Sequence, residues 1–182
     1  MSKDELYILS FYRASELAGA LLFGRLAMHT NVNELRAPLT EQCSEEAKHA
    51  WMITQTIQEL GEEPLKITET FQSEIAAEFG MPSSVLEVLG LTQVFEERVL
   101  DHYRKHIKLP GLNPKIKVTL ESMLEDEEGH VDWIQKQLNA FAKKNGQEEV
   151  DKLLERVKAV DEAVIARFAS KEPFKTYFKE LI

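Results

Sequence analysis

Glycine and proline cluster in this chain at four places, Gly61 to Pro64, Gly80 to Pro82, Pro110 to Pro114 and Asn145-Gly146, and the stretches between them are too long for strands. Each stretch carries apolar residues at helical spacing, and none alternates as a strand does. Ser2 and Glu5 have the capping-box spacing and open a helix to about Met28. A second helix runs from about Asn33 to Leu60, with Pro38 near its first turn and Gly61 as its stop. A shorter amphipathic piece is predicted from Thr68 to Phe79. Ser84 and Glu87 repeat the capping spacing and open a helix to about Ile107, and Asn113 with Pro114 opens another to about Asn145. Gln147 to Ala169 supplies one more. Two tight helical pairs separated by a long connection predict an all-α four-helix bundle with one crossover and an additional C-terminal helix, in a single domain over residues 1–182.

The chain carries a net charge of −9 and a pI near 5.1, which excludes a basic surface built to displace counterions from nucleic acid. No apolar run approaches the roughly 20 residues that span a bilayer, and the first residues lack the apolar stretch of a signal peptide. The one cysteine, Cys43, forms no internal disulfide and no Cys-rich metal site. A cytoplasmic protein is expected. Of the 31 acidic residues 25 are Glu, a good helix former, so the acidic excess itself favours helices.

Certain acids and histidines interrupt apolar stripes. The second helix reads Leu39, Cys43, Glu46, Ala50, Ile53, Ile57, with His49 three residues after Glu46. The helix after Pro114 reads Leu120, Met123, Glu127, His130, Ile134, Leu138, a second Glu-x-x-His. Glu16 lies among Leu9, Tyr12, Ala20 and Phe23, and Glu96 among Leu89, Val99, Leu100 and Tyr103. The stripe favours Glu96 and leaves its neighbour Glu97 as the alternative. Glu16 lies 15 residues before Asn31 and Glu46 15 after it, so both fall about 22 Å from that turn. Glu96 and Glu127 flank Leu112 by 16 and 15 residues.

Carboxylates in a core need compensation, because burial disfavours the charged form. A Glu from each of two helices plus a Glu-x-x-His from each of the other two is a ligand set for two divalent cations. Oxygen-rich ligation with one imidazole per metal favours iron, with manganese as the other candidate. Glu16, Glu46, His49, Glu96, Glu127 and His130 are therefore the predicted metal ligands and catalytic residues. His29, His102 and His106 read as surface or helix-end residues, and Asp101 and His102 as groups that could reach the edge of the site. Glu45 and Asp126 precede the two ligand glutamates and are candidate partners for the histidines, the alternative for each being a solvated charge. Tyr12 lies one turn before Glu16, where it could bond a ligand carboxylate or simply be core. Gly19 and Ala20 leave room beside Glu16 for oxygen or substrate, and Cys43 reads as a buried small hydrophobe.

These residues resemble the ferritin-like di-iron superfamily over about residues 5 to 140. The segment Asp126-Glu127-Glu128-Gly129-His130-Val131-Asp132-Trp133 is similar to the last ligand helix of bacterioferritins, and Glu45-Glu46-Ala47-Lys48-His49-Ala50 to their second. Phe23 and Tyr103 follow Glu16 and Glu96 by seven residues, a superfamily spacing that favours Glu96 over Glu97. Ala47 stands where bacterioferritins carry a haem-ligating Met, so haem is not expected. Val99 stands where rubrerythrins carry an added glutamate, and one cysteine cannot hold their second iron centre. The residues Val94 to Tyr103 are also similar to the demethoxyubiquinone hydroxylases. The resemblance implies a ferritin-like bundle holding two Fe ions (or Mn/Fe), with Glu46 and Glu127 bridging them. It implies an O2-activating oxidase or oxygenase acting on a small-molecule substrate with an external electron donor, in a homodimer. The alternatives are a ferroxidase or iron-storage protein and a non-enzymatic metal-binding protein.

Overall fold

The computed structural model describes residues 1–80 and 82–177, and every regular element among them is a helix. Met81, inside the expected Gly80–Pro82 turn, and residues 178–182, at the end of the expected domain, lie outside the described residues. The elements are α1 (Lys3–His29), α2 (Asn33–Glu59), α3 (Phe71–Phe79), α4 (Val85–His106), α5 (Pro114–Asn145), α6 (Gln147–Ala169) and the single turn α7 (Phe174–Tyr177). This is the all-α class and helix order that the punctuation predicts.

The helix starts are chemical. Glu5 N donates to Ser2 Oγ at 3.1 Å and Ser2 N to Glu5 Oε2 at 2.7 Å, so both arms of the capping box close on α1. At α4 only one arm forms as predicted: Glu87 N donates to Ser84 Oγ, while the Glu87 carboxylate turns to the N–H and hydroxyl of Ser83. Those two bonds hold the Glu87 carboxyl below its ordinary range. Asn113 Oδ1 accepts from Lys115 N at 2.9 Å, and Pro114 begins α5. α2 continues through Pro38. Gly146, at φ 115°, is all that separates α5 from α6, a conformation that side-chain-bearing residues rarely adopt. Two ends depart from expectation. Thr68 to Thr70 precede α3 rather than forming its first turn, and α7, which the sequence pattern does not announce, follows Pro173.

The chain packs as two compact units. The first holds Met1–Gln72 and Asn113–Thr119. In it α1 and α2 are antiparallel: Arg13 bonds Thr54, Glu16 meets His49, Gly19 faces Glu46 and Gly24 faces Cys43, so partners descend α2 as they climb α1. Ile8, Phe11, Phe23, Ile53 and Ile57 fill the core, each contributing on the order of 2 kcal/mol by burial. The crossover is tied down by Leu65 N donating to Ser10 Oγ and by Phe71 edge-on to Phe11, with ring centroids 4.7 Å apart. Thr119 and Lys115 bond Thr56 and Glu59. An 18-residue window of α1 has a mean hydropathy of 1.2, enough by length and composition to cross a membrane, against the sequence expectation. The same composition serves a core helix, and 56% of that window is buried.

The second unit holds Ser73–Leu112 and the chain from Leu120 onward. Here α6 lies along α4 in parallel: Leu153 meets Gly90, and Asp161 meets Arg98. Arg167 pairs with Glu74 and Glu78, and Arg156 stacks over Phe79, so α6 also anchors α3. Phe174 of α7 packs edge-on against Phe168.

Candidate metal centre

Each unit contains one triad of the same composition. In the first, α1 supplies Glu16 and α2 supplies Glu46 and His49, whose i, i+3 spacing puts them on one face. His49 has no exposed surface, and Glu16 and Glu46 are 2% and 5% exposed. His49 Nδ1 lies 3.4 Å from Glu16 Oε2, and one ligand atom from each of the three lies within 4.8 Å of the others. Gly19 makes the space for this. A Cβ at Gly19 would sit 2.5 Å from Glu46 Oε2, so the room expected there for oxygen or substrate is taken by the Glu46 carboxylate.

In the second unit α4 supplies Glu96 and α5 supplies Glu127 and His130, all buried. His130 Nδ1 lies 3.5 Å from Glu127 Oε2 and 3.8 Å from Glu96 Oε2, and again one ligand atom of each lies within 4.8 Å of the others. Burial pushes the Glu96 carboxyl up to about 8, with the neighbouring His130 opposing the shift and Glu127 adding to it. A carboxyl that holds its proton to that pH is one whose charge lacks compensation from the protein. Two buried carboxylates and one imidazole per triad form an oxygen-rich donor set suited to a hard or borderline divalent cation, and iron or manganese fits it.

The other candidates are placed differently. Glu97 is half-exposed, accepts from Gln93 Nε2 at 2.7 Å and lies 3.8 Å from Lys158 Nζ, on the α6 side of α4. Asp101 pairs with Lys105 at 2.8 Å on the surface. His106, read as a surface or helix-end residue, does end α4 but is fully buried there. His102 is half-buried and not a surface group; burial of its ring, and then the charge of Arg98, hold its pKa well below the ordinary range. The cause of both departures is that an amphipathic pattern identifies the inner face of a helix without showing what later covers its outer one. Glu45, Asp126 and Cys43 are half-buried, and Tyr12 is buried in the core.

Three polar residues near the triads were not singled out from the sequence. Ser15, Gln42 and Gln93 are buried, and Ser15 Oγ, Gln42 Oε1 and Gln93 Oε1 have no hydrogen-bond partner among the described residues. Gln42 is one turn before Glu46, so the signal that identifies the ligands, a polar residue interrupting an apolar stripe, identifies it too.

No curated protein matches the chain. The model of the ferritin-like domain matches residues 25–144, well over half of it. The matched segment contains Glu46, His49, Glu96, Glu127 and His130; Glu16 precedes it, and α6 lies wholly beyond it. With that match over an all-helical chain of the expected helix order, the protein belongs to the ferritin-like domain family.

Proposed function

We propose that the protein is a non-haem di-iron carboxylate oxidoreductase that activates O2. Glu16, Glu46 and His49 would hold one ion and Glu96, Glu127 and His130 the other, the two triads completing one dinuclear centre as the matched sequence depths predict. The observation that carries the reading is the repeat: a buried Glu on one helix facing a buried Glu-x-x-His on the next, twice, in a member of this family. When bound, ferrous iron supplies the electrons and the open coordination positions for reaction with O2. The protein's own part is to exclude bulk water and to hold four carboxylates and two imidazoles buried at fixed positions, where bound cations would supply the charge compensation that the protein itself does not. A small organic substrate, an external electron donor and a homodimer complete the proposal, in a cytoplasmic setting.

The test is metal content and oxygen uptake. Protein grown with iron and manganese should carry two metals per chain, and its Mn(II) form should give the EPR signature of a coupled pair. The Fe(II) form should consume O2, and Glu127→Ala should abolish the uptake. Less than about one metal per chain would refute the metal reading, whose ligand set is built for two. Two uncoupled Mn(II) ions would refute the single centre. Elution as a large shell that accumulates oxidised iron in excess of two per chain would establish storage instead.

A further inference from the structure

Adjacent glutamates on a helix point about 100° apart, so the choice between Glu96 and Glu97 is a choice of how α4 is rotated about its axis. Counting that angle along α4, Gly90, Val94, Glu97, Arg98 and Asp101 fall on one side and Glu96 and Tyr103 on the other. The first side is the one α6 covers. A Cβ at Gly90 would sit 2.8 Å from Leu153 Cδ2, so the absence of a side chain there lets α6 approach closely. Asp161 is 3% exposed, and its carboxylate takes both Nε and Nη2 of Arg98, two residues past Glu96. Lys158 reaches Glu97, which Gln93 holds from behind.

A buried ion pair is poor evidence of net stability, because desolvation offsets most of the attraction. Its effect is on geometry. A bidentate Arg–carboxylate pair fixes orientation, and rotating α4 by 20° would carry the Glu96 carboxylate roughly 2 Å from its place, since side-chain ends lie well outside the 2.3 Å backbone radius. The contacts of α6 therefore hold Glu97 out on the same side of α4 as Arg98, and leave Glu96 as the residue that meets Glu127 and His130.

We infer that α6, acting through the Asp161–Arg98 pair, is a rotational clamp on α4, and that Asp161 is a positioning residue for the metal ligand Glu96. The inference rests on the dinuclear reading above, and its clamp element can be tested without metal. Arg98 and Glu96 lie inside the segment that matches the family, and Asp161, on α6, lies beyond it.

The experiment uses the full chain with Asp161→Asn, the charge-swapped pair Arg98→Asp with Asp161→Arg, and Arg167→Ala as a control on α6 that touches α3 instead. Hydrogen exchange is measured on metal-free protein, and Mn(II) affinity by titration. In Asp161→Asn, amides of α4 should exchange faster while those of α1 and α2 do not. One of the two Mn(II) ions should bind about 10- to 100-fold more weakly, the range for residues that orient a ligand, with the other unchanged. The swapped pair should recover most of that affinity, and Arg167→Ala should leave both ions as in wild type. Faster exchange with both affinities intact, or both affinities lowered alike, would reduce Asp161 to a structural residue and overturn the positioning role. Unchanged exchange would overturn the clamp. Wild-type protein that binds no Mn(II) would refute the dinuclear reading and the positioning role with it, and the exchange result would then decide the clamp alone.

Discussion

At Gly19 stability and metal binding should part. Alanine is favoured over glycine inside a helix by about 1 kcal/mol. The atom that a Cβ would strike is Glu46 Oε2, the far end of a flexible side chain that can swing away. Gly19→Ala should therefore melt at the same temperature as wild type or above it, and lose metal affinity because Glu46 is displaced; calorimetry beside a metal titration reads both. Lower melting with unchanged affinity would show that the space serves the fold only. Glu96 gives a pH dependence of definite sign. In metal-free protein it keeps its proton to about 8 when folded and loses it near its ordinary 4.5 when unfolded. Its contribution to stability is thus complete below 4.5 and is lost as pH rises towards 8. Urea midpoints measured with a chelator should fall between pH 5 and pH 8 more steeply for wild type than for Glu96→Gln, and equal slopes would contradict the shift. The six buried acids and histidines of the two triads are readable in the sequence because charge on an apolar stripe has few explanations. Gln42 interrupts the same stripe and draws less notice, because a buried amide is less costly than a buried carboxylate.

The helices themselves follow from local chemistry. Gly61, Gly80 and Gly146 all take positive φ where the chain leaves a helix, and the Ser2 and Asn113 caps form as their spacing predicts. What local chemistry leaves open is the address of an amphipathic helix. The pattern of α6 announces an apolar face and not that Gly90 and Arg98 receive it, because nothing in a periodic pattern names its partner. The capping of α4 by Ser83 as well as Ser84 is a similar case, in which two adjacent serines offer Glu87 a choice. Arg156 carries a prediction at this scale. It lies 4.1 Å over the Phe79 ring, donates to Phe79 O at 3.3 Å and approaches Glu87 at 3.6 Å, so one guanidinium ties the end of α3 to α6 and to the start of α4. Arg156→Ala should speed proteolysis and hydrogen exchange in α3 while α1 and α2 keep their protection. Arg156→Lys should restore little of it, because a lysine cannot stack flat on the ring and bond the carbonyl together.

At the scale of the whole molecule the exposed surface of the first unit bears on assembly. Leu17, Leu21 and Met28 recur along one side of α1, with Leu21 66% and Met28 78% exposed, and Trp51 of α2 is 56% exposed. Large apolar side chains at helical spacing on an outer face are the usual mark of an interface. The interface of a two-fold dimer is the same patch on both copies, so a row of this kind can meet its own counterpart. The proposed homodimer would bury this row, and it accounts for why α1 is apolar beyond what its contact with α2 uses. Sedimentation of the wild-type chain should give a dimer, and Leu21→Glu should shift it towards monomer, because an unpaired charge at a buried interface costs several kcal/mol. Helix content and metal stoichiometry should stay at wild-type values, since Leu21 lies outside both triads. A wild-type monomer at the concentrations used for spectroscopy would remove this assignment, and a Leu21→Glu dimer as tight as wild type would move the interface to another face.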